Sequence, residues 1–236
     1  MTRSLRVGRA AAAAALLLGP LLLLAATAVG PLNTGGDFAE MLRSYDAERT
    51  AIQTADLLTF AGALAMIAAV LAVARVVRRR APALAMWGAC LSVAGWASLI
   101  GLIGYDQAMV DVSRDPAIRE QLARSLEDGE AWALPAVFFV FLVGTVAGGA
   151  VLGAALLRTR VVAAWAGAAV AVALVVNVAG HLVEVNAVAL AAFLLLAAGF
   201  GALAARVART PVTAWADGEV PPESGRRPAA PVAVGG

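Results

Sequence analysis

The sequence predicts an all-α polytopic transmembrane helix bundle of six spans, with two short exterior amphipathic helices. Three observations predict it. Six apolar runs each reach the roughly 20 residues that a helix needs to cross the hydrocarbon core. The 236-residue chain is 61% apolar and 14% charged, whereas soluble domains are roughly 45–50% apolar and about 25% charged. The third observation is the placement of charge. Eleven arginines and no acid occupy the segments at one end of the apolar runs: Arg3, Arg6 and Arg9, then Arg75 and Arg78 to Arg80, then Arg158 and Arg160, then Arg206 and Arg209. The other ends run acidic, with four acids against two arginines over 30–54 and seven against three over 105–132. An arginine excess marks the cytoplasmic side. The expected location is therefore the cytoplasmic (inner) membrane, multi-pass, with both termini cytoplasmic.

The runs fall at about 10–29, 55–77, 82–104, 133–157, 161–180 and 185–205, with ends good to about 2–4 residues. They make three hairpins, each closed by arginines. The first run carries an arginine-rich start and Ala26-Thr27-Ala28, which together have the form of a signal peptide. Its apolar stretch is span-length rather than the usual 7–15 residues, so a retained helix is expected. Ala85-Met86-Trp87-Gly88-Ala89 and Ala163-Ala164-Trp165-Ala166-Gly167 echo one another loosely, and interfacial anchoring by Trp87 and Trp165 accounts for both.

The two long exterior connections carry helix signals. In the first, Asp37 and Glu40 open a pattern in which Phe38, Met41, Leu42, Tyr45 and Ile52 recur at near-helical spacing. In the second, Asp115 is an N-cap, Pro116 suits the first helical position, and Asp128-Gly129 is a stop. Ile118, Leu122 and Leu126 share one face. Residues 1–209 form the bundle. From Thr210 to Gly236 the chain is rich in Pro, Ala and Gly without an apolar period, and reads as a disordered cytoplasmic tail.

The candidate polar site is the turn between the last two runs. Asn177, His181 and Glu184 are spaced by four and three, which puts them on one helical face if the helix continues. His181 is the only histidine. Asp56, Tyr105, Asp106 and Asn186 belong to the same acidic end. A histidine with nearby carboxylates can bind a divalent metal or relay a proton. The plain alternative stands beside it: polar residues at a water-facing turn need no chemistry, and Asp56 beside Thr54 suits an N-cap. In the fourth run Gly144 and Gly148 form one GxxxG and Gly149 and Gly153 another, for packing inside the bundle or for a homodimer seam. Cys90, the single cysteine, excludes an intrachain disulfide and reads as a small buried hydrophobe.

One histidine excludes bis-histidine haem. No HExxH, no Gly-x-Ser-x-Gly, no Walker loop and no paired-cysteine motif occurs. No arginine lies mid-span, and no nucleic-acid footprint is present. No cofactor, no metal and no catalytic residue is expected. All 18 basic residues are arginine, which with abundant Ala, Gly and Val points to a high-GC bacterial genome.

The layout resembles the uncharacterised six-helix integral membrane proteins of high-GC bacteria. The features that carry the resemblance are Arg75 to Arg80 closing the first hairpin, the acidic amphipathic exterior segments and the short His181–Asn186 turn. It covers residues 1–209, implies membrane location, and transfers no functional residue. The expected function is a non-enzymatic integral membrane protein acting through partners or helix packing. The partners are the lipid bilayer together with a membrane or exterior protein or a second copy of the chain. The alternative is a small transporter or ion-permeation protein using the outer-facing polar cluster, and a membrane enzyme with Glu184 and His181 as acid and base comes third.

Overall fold

Lipid offers no hydrogen bonds, so a spanning chain satisfies its backbone as helix or as closed barrel. The computed structural model describes residues 2–30, 38–127, 133–183 and 185–221, and among them every regular element is α-helix. Six are long and apolar enough to cross a membrane. They are α1 (Thr2–Val29), α3 (Arg49–Val77), α4 (Pro82–Val112), α6 (Ala133–Thr159), α7 (Ala164–Leu182) and α8 (Asn186–Arg209). Three are short: α2 (Phe38–Ala47), α5 (Pro116–Glu127) and α9 (Val212–Asp217). The chain is a multi-pass integral membrane protein.

The spanning helices overrun the expected runs. α1 starts eight residues before position 10, α3 starts six before 55, and α4 ends eight beyond 104. Nothing in these extensions breaks a helix, and Gly101 and Gly104 lack the proline that would end α4 there. At about 1.5 Å per residue α4 is about 46 Å long, against a hydrocarbon core of about 30 Å. Its acidic end therefore stands clear of lipid. Asp56 lies two turns inside α3, so it is no N-cap; Glu48 occupies that position, and Ile52 belongs to α3 rather than to the exterior helix.

Packing arranges the six spans as a closed ring in the order α1, α3, α4, α6, α7, α8, with α8 returning to α1. The pairs joined by short turns, α3 with α4, α6 with α7 and α7 with α8, run antiparallel, as such turns require. Without a hydrophobic drive between helices in lipid, close contact must come from small residues. The two glycine pairs of α6 supply it on two faces, about 140° apart at five residues' offset. Gly144 and Gly148 face α4: a Cβ on Gly144 would meet the Gly95 backbone at 2.7 Å, and one on Gly148 would meet the Ser92 backbone nitrogen at 2.5 Å. Gly149 and Gly153 face α7, where a Cβ on Gly153 would meet the Ala171 backbone at 2.5 Å. All four are buried within one chain, against α4 or α7.

The acidic end carries a cap. Leu42 of α2 is fully buried with Met109 of α4, and Tyr45, Tyr105 and Leu122 of α5 pack around them. Asp115 caps α5 by accepting the Ala117 N–H at 2.9 Å, as its sequence position predicts. Asp37, Asp128 and Gly129 lie outside the described residues, as do the side chains of Phe38, Glu40, Met41 and Leu126. Leu42→Ala is expected to loosen α2 and α5 by about 2–5 kcal/mol. Hydrogen exchange of these two helices should accelerate while the ring's exchange stays unchanged.

The opposite end corrects two expectations. The chain after Thr210 is not a structureless tail throughout. α9 docks on the bundle with Trp215 only 4% exposed. The Arg75 guanidinium lies 4.8 Å over the Trp215 ring and donates to the Trp215 carbonyl at 3.0 Å. Arg9 donates to the Thr210 carbonyl, Arg79 pairs with Glu219 at 2.6 Å, and Arg206 donates to the Pro221 carbonyl at 2.6 Å. Gly218 ends α9 at φ 70°, a left-handed conformation that glycine adopts without strain. Residues 222–236 lie outside the description. The second correction is Cys90, which is exposed on the bundle surface rather than buried, because its face of α4 points away from the ring. Trp87 and Trp165 also stand exposed near this end, where an interfacial anchor belongs.

Candidate functional site

Side-chain size decides where a six-helix ring fills its axis. Toward the arginine-rich end Val70, Val73, Leu152, Leu156, Leu196 and Leu203 close it, each at most 2% exposed. Toward the acidic end Ala26, Thr27 and Thr59 replace large aliphatics on α1 and α3, and a cavity of about 470 Å³ remains. All six spanning helices line it. Such a volume lies within the roughly 300–1,000 Å³ of small-molecule sites.

The walls are mostly apolar, with Trp96 of α4, Phe138 and Phe141 of α6 and Phe193 of α8 as their aromatic part. The polar groups are Thr27, Thr59, Thr145, Asn177 and His181. Each threonine hydroxyl donates to a carbonyl one turn back: Leu23 at 2.9 Å, Ala55 at 2.8 Å and Phe141 at 2.7 Å. That leaves these hydroxyl oxygens able only to accept. The Asn177 Nδ2 group is enclosed and donates to no acceptor among the described residues. An unmatched buried donor costs about 1–3 kcal/mol, so it calls for an explanation. Four residues on, His181 stands about 6 Å nearer the acidic end. It is exposed at the rim, beside Leu182 at 80% and Phe138 at 52% exposure. No Asp, Glu or Arg lines the cavity among the described residues.

The sequence cluster thus divides. Asn177 and His181 share the cavity, one turn apart on α7 as their spacing predicts. Glu184 lies outside the described residues. Asp56 does not join them: its Oδ2 accepts from Gln107 Nε2 at 2.6 Å, between α3 and α4. Nearby, Tyr45 donates to Asp106 Oδ1 at 3.1 Å, and Arg49 pairs with Asp111 at 2.8 Å. These contacts fasten the cap to the ends of α3 and α4. Burial pushes the Tyr45 phenol above its ordinary range, and the charge of Asp106 pushes it further. The neutral phenol is the form that the fold favours. Its contribution is present below the unfolded value of about 10 and is lost as pH rises past it. No group of three His, Cys, Asp or Glu is placed to hold a metal among the described residues.

Of the cavity residues, Thr59, Trp96 and Thr145 are not singled out by the sequence, and Thr27 is only as part of a cleavage-site pattern. The signal for them exists only in hindsight: one polar side chain in each of several spans, at matching depth below the acidic end. Helix rotation, which decides whether such a residue faces the axis or a neighbour, is set by packing. Comparison of the chain with protein-family models, with curated proteins and with solved structures finds no match.

Proposed function

We propose that this is a non-enzymatic binding protein of a bacterial cytoplasmic membrane, oriented with its arginine-rich end in the cytoplasm. It holds one small, uncharged, largely apolar molecule in the axial cavity of its outer half. The observation that carries this reading is a mostly apolar cavity lined by all six helices, with the unmatched, enclosed Asn177 donor in its wall. A turn of the Asn177 side chain would bring that enclosed donor to a ligand carbonyl or ether oxygen. A ligand hydroxyl would find the threonine oxygens as acceptors. Among the described residues an ion has no counter-charge there, and Asp56 and Asp106 are engaged by Gln107 and Tyr45, so ion permeation is the weaker alternative. The orientation rests on the arginine asymmetry alone.

The test is titration of detergent-purified protein with an uncharged naphthyl ketone dye whose emission shifts on leaving water. Saturable binding is expected, with thermal stabilisation of about 2.7 kcal/mol at 100 times the dissociation constant. Asn177→Leu keeps the volume and removes the donor, so affinity should fall about fivefold, the worth of one neutral hydrogen bond. Val146→Trp, which fills the cavity, should abolish binding. Binding undiminished in Val146→Trp, or no saturable binding in wild type, would overturn the reading.

A further inference from the structure

A second concave surface lies at the opposite end, on the outside of the ring. α1, α3 and α4 form an open groove of about 810 Å³. Its floor is α3, where Ala68 and Ala72 keep the surface low beside the exposed Leu71, and one wall is Ala11 and Ala12 of α1. The other wall is Met86, Ala89 and Cys90 of α4. Its head is basic: Arg75 and Arg78 line it, with Trp215 of α9 beside them. No acid lines it among the described residues.

The arginines are not equivalent to their neighbours. Arg79 is neutralised by Glu219, and Arg80 donates to the Thr159 carbonyl at 3.4 Å. Arg78 is exposed, and its side chain has no hydrogen-bond or ion-pair partner among the described residues. The Arg75 Nε–H is enclosed without an acceptor although its NH2 group is bonded. From Arg78 to Ala68 is ten residues, about 15 Å along α3, or about half of a 30 Å hydrocarbon core. The groove therefore pairs a cationic head at the boundary with an apolar trough one leaflet deep. Those are the two halves of an anionic lipid.

We propose that this groove is a binding site for one anionic phospholipid, with its phosphate on Arg78 and its acyl chains along the trough between α1 and α4. Basic pockets between spanning helices recognise acidic headgroups through this chemistry. The apolar trough adds what a free phosphate could not use. The site is independent of the axial cavity, which lies in the other half of the bundle.

The experiment places the full chain in nanodiscs of phosphatidylcholine and replaces part of the lipid with phosphatidylglycerol. Two readouts are followed: thermal stability, and the rate at which an apolar maleimide alkylates Cys90 in the trough. Phosphatidylglycerol is expected to raise the melting temperature and slow alkylation. Arg78→Gln should weaken this preference about fivefold, the equivalent of about 1 kcal/mol for one arginine at a lipid surface. Ala68→Trp changes no charge and fills the exposed floor of the trough, and should remove the lipid's protection of Cys90. Arg3→Gln, an exposed arginine outside the groove, should change neither readout. An equal loss in Arg3→Gln would mean diffuse surface electrostatics and would overturn the site. So would inorganic phosphate in phosphatidylcholine discs reproducing the full effect, which would assign an anion site instead. So would protection of Cys90 by phosphatidylglycerol that persists in Ala68→Trp.

Discussion

Gly148→Leu is expected to separate α4 from α6 and to cost about 3 kcal/mol or more, the upper range for overpacking. The added side chain has nowhere to go. Its Cβ would already collide with Ser92, both at the hydroxyl and at the backbone nitrogen 2.5 Å away. A clash with a flexible side-chain tip relaxes by a rotamer change, whereas a clash with backbone moves a helix. The neighbouring Gly95 and Gly144 meet backbone to backbone in the same way, so the displacement cannot be absorbed one turn along. Reversible unfolding in mixed micelles would measure it. Gly149→Ala is the control, because its nearest neighbour is a Leu174 methyl at 3.2 Å, and it should be tolerated within about 1 kcal/mol. A Gly148→Leu protein as stable as wild type but altered in oligomer size would return these glycines to a homodimer seam.

Trp215→Ala is the second large effect. It should release the segment that follows α8. Truncating a buried aromatic costs about 3–5 kcal/mol, here concentrated on one six-residue helix. Trp215 is the only residue of α9 that is buried, and its partner Arg75 both stacks on its ring and binds its carbonyl. About 2.7 kcal/mol is a hundredfold change in the docked population, so trypsin cleavage at Arg209 should accelerate at least about hundredfold where opening limits it. The ring should unfold as before, because α9 contributes no spanning helix. Arg79→Gln, which removes a half-exposed ion pair, should have little effect on the same cleavage. Equal cleavage in wild type and Trp215→Ala would mean that the segment is not held by this contact.

Membrane class, span number and the polarity of the two ends were legible because each depends on quantities that add along the chain. Hydropathy over 20 residues outweighs any single substitution. Charge segregation is a property of whole connections. The amphipathic α2 and α5 were legible for the same reason, through the spacing of Leu42, Tyr45 and Leu122. The spacing of Asn177 and His181 also carried over, since four residues on one helix fix a shared face whatever surrounds it.

What failed in the sequence were relations between helices. Asp56 was grouped with His181 by end of the membrane, yet the ring order puts α3 beside α4, and Gln107 takes its carboxylate. Cys90 was called buried because its run is apolar, but in lipid an apolar residue is as content outside the ring as inside. The tail after Thr210 was called structureless because no period shows in so short a stretch. The order of residues 210–221 comes from Arg9, Arg75 and Arg206, residues that the sequence displays only as topology signals. The sequence by itself determined a six-span membrane protein with a basic end and an acidic end, because those features are sums over local composition. Only the tertiary structure decided which faces meet, and hence that one end of the axis stays open around Asn177 while the other is packed shut. The reason is that helix rotation and ring order are set by the fit of small residues against neighbouring backbones, and not by the apolarity that all six helices share.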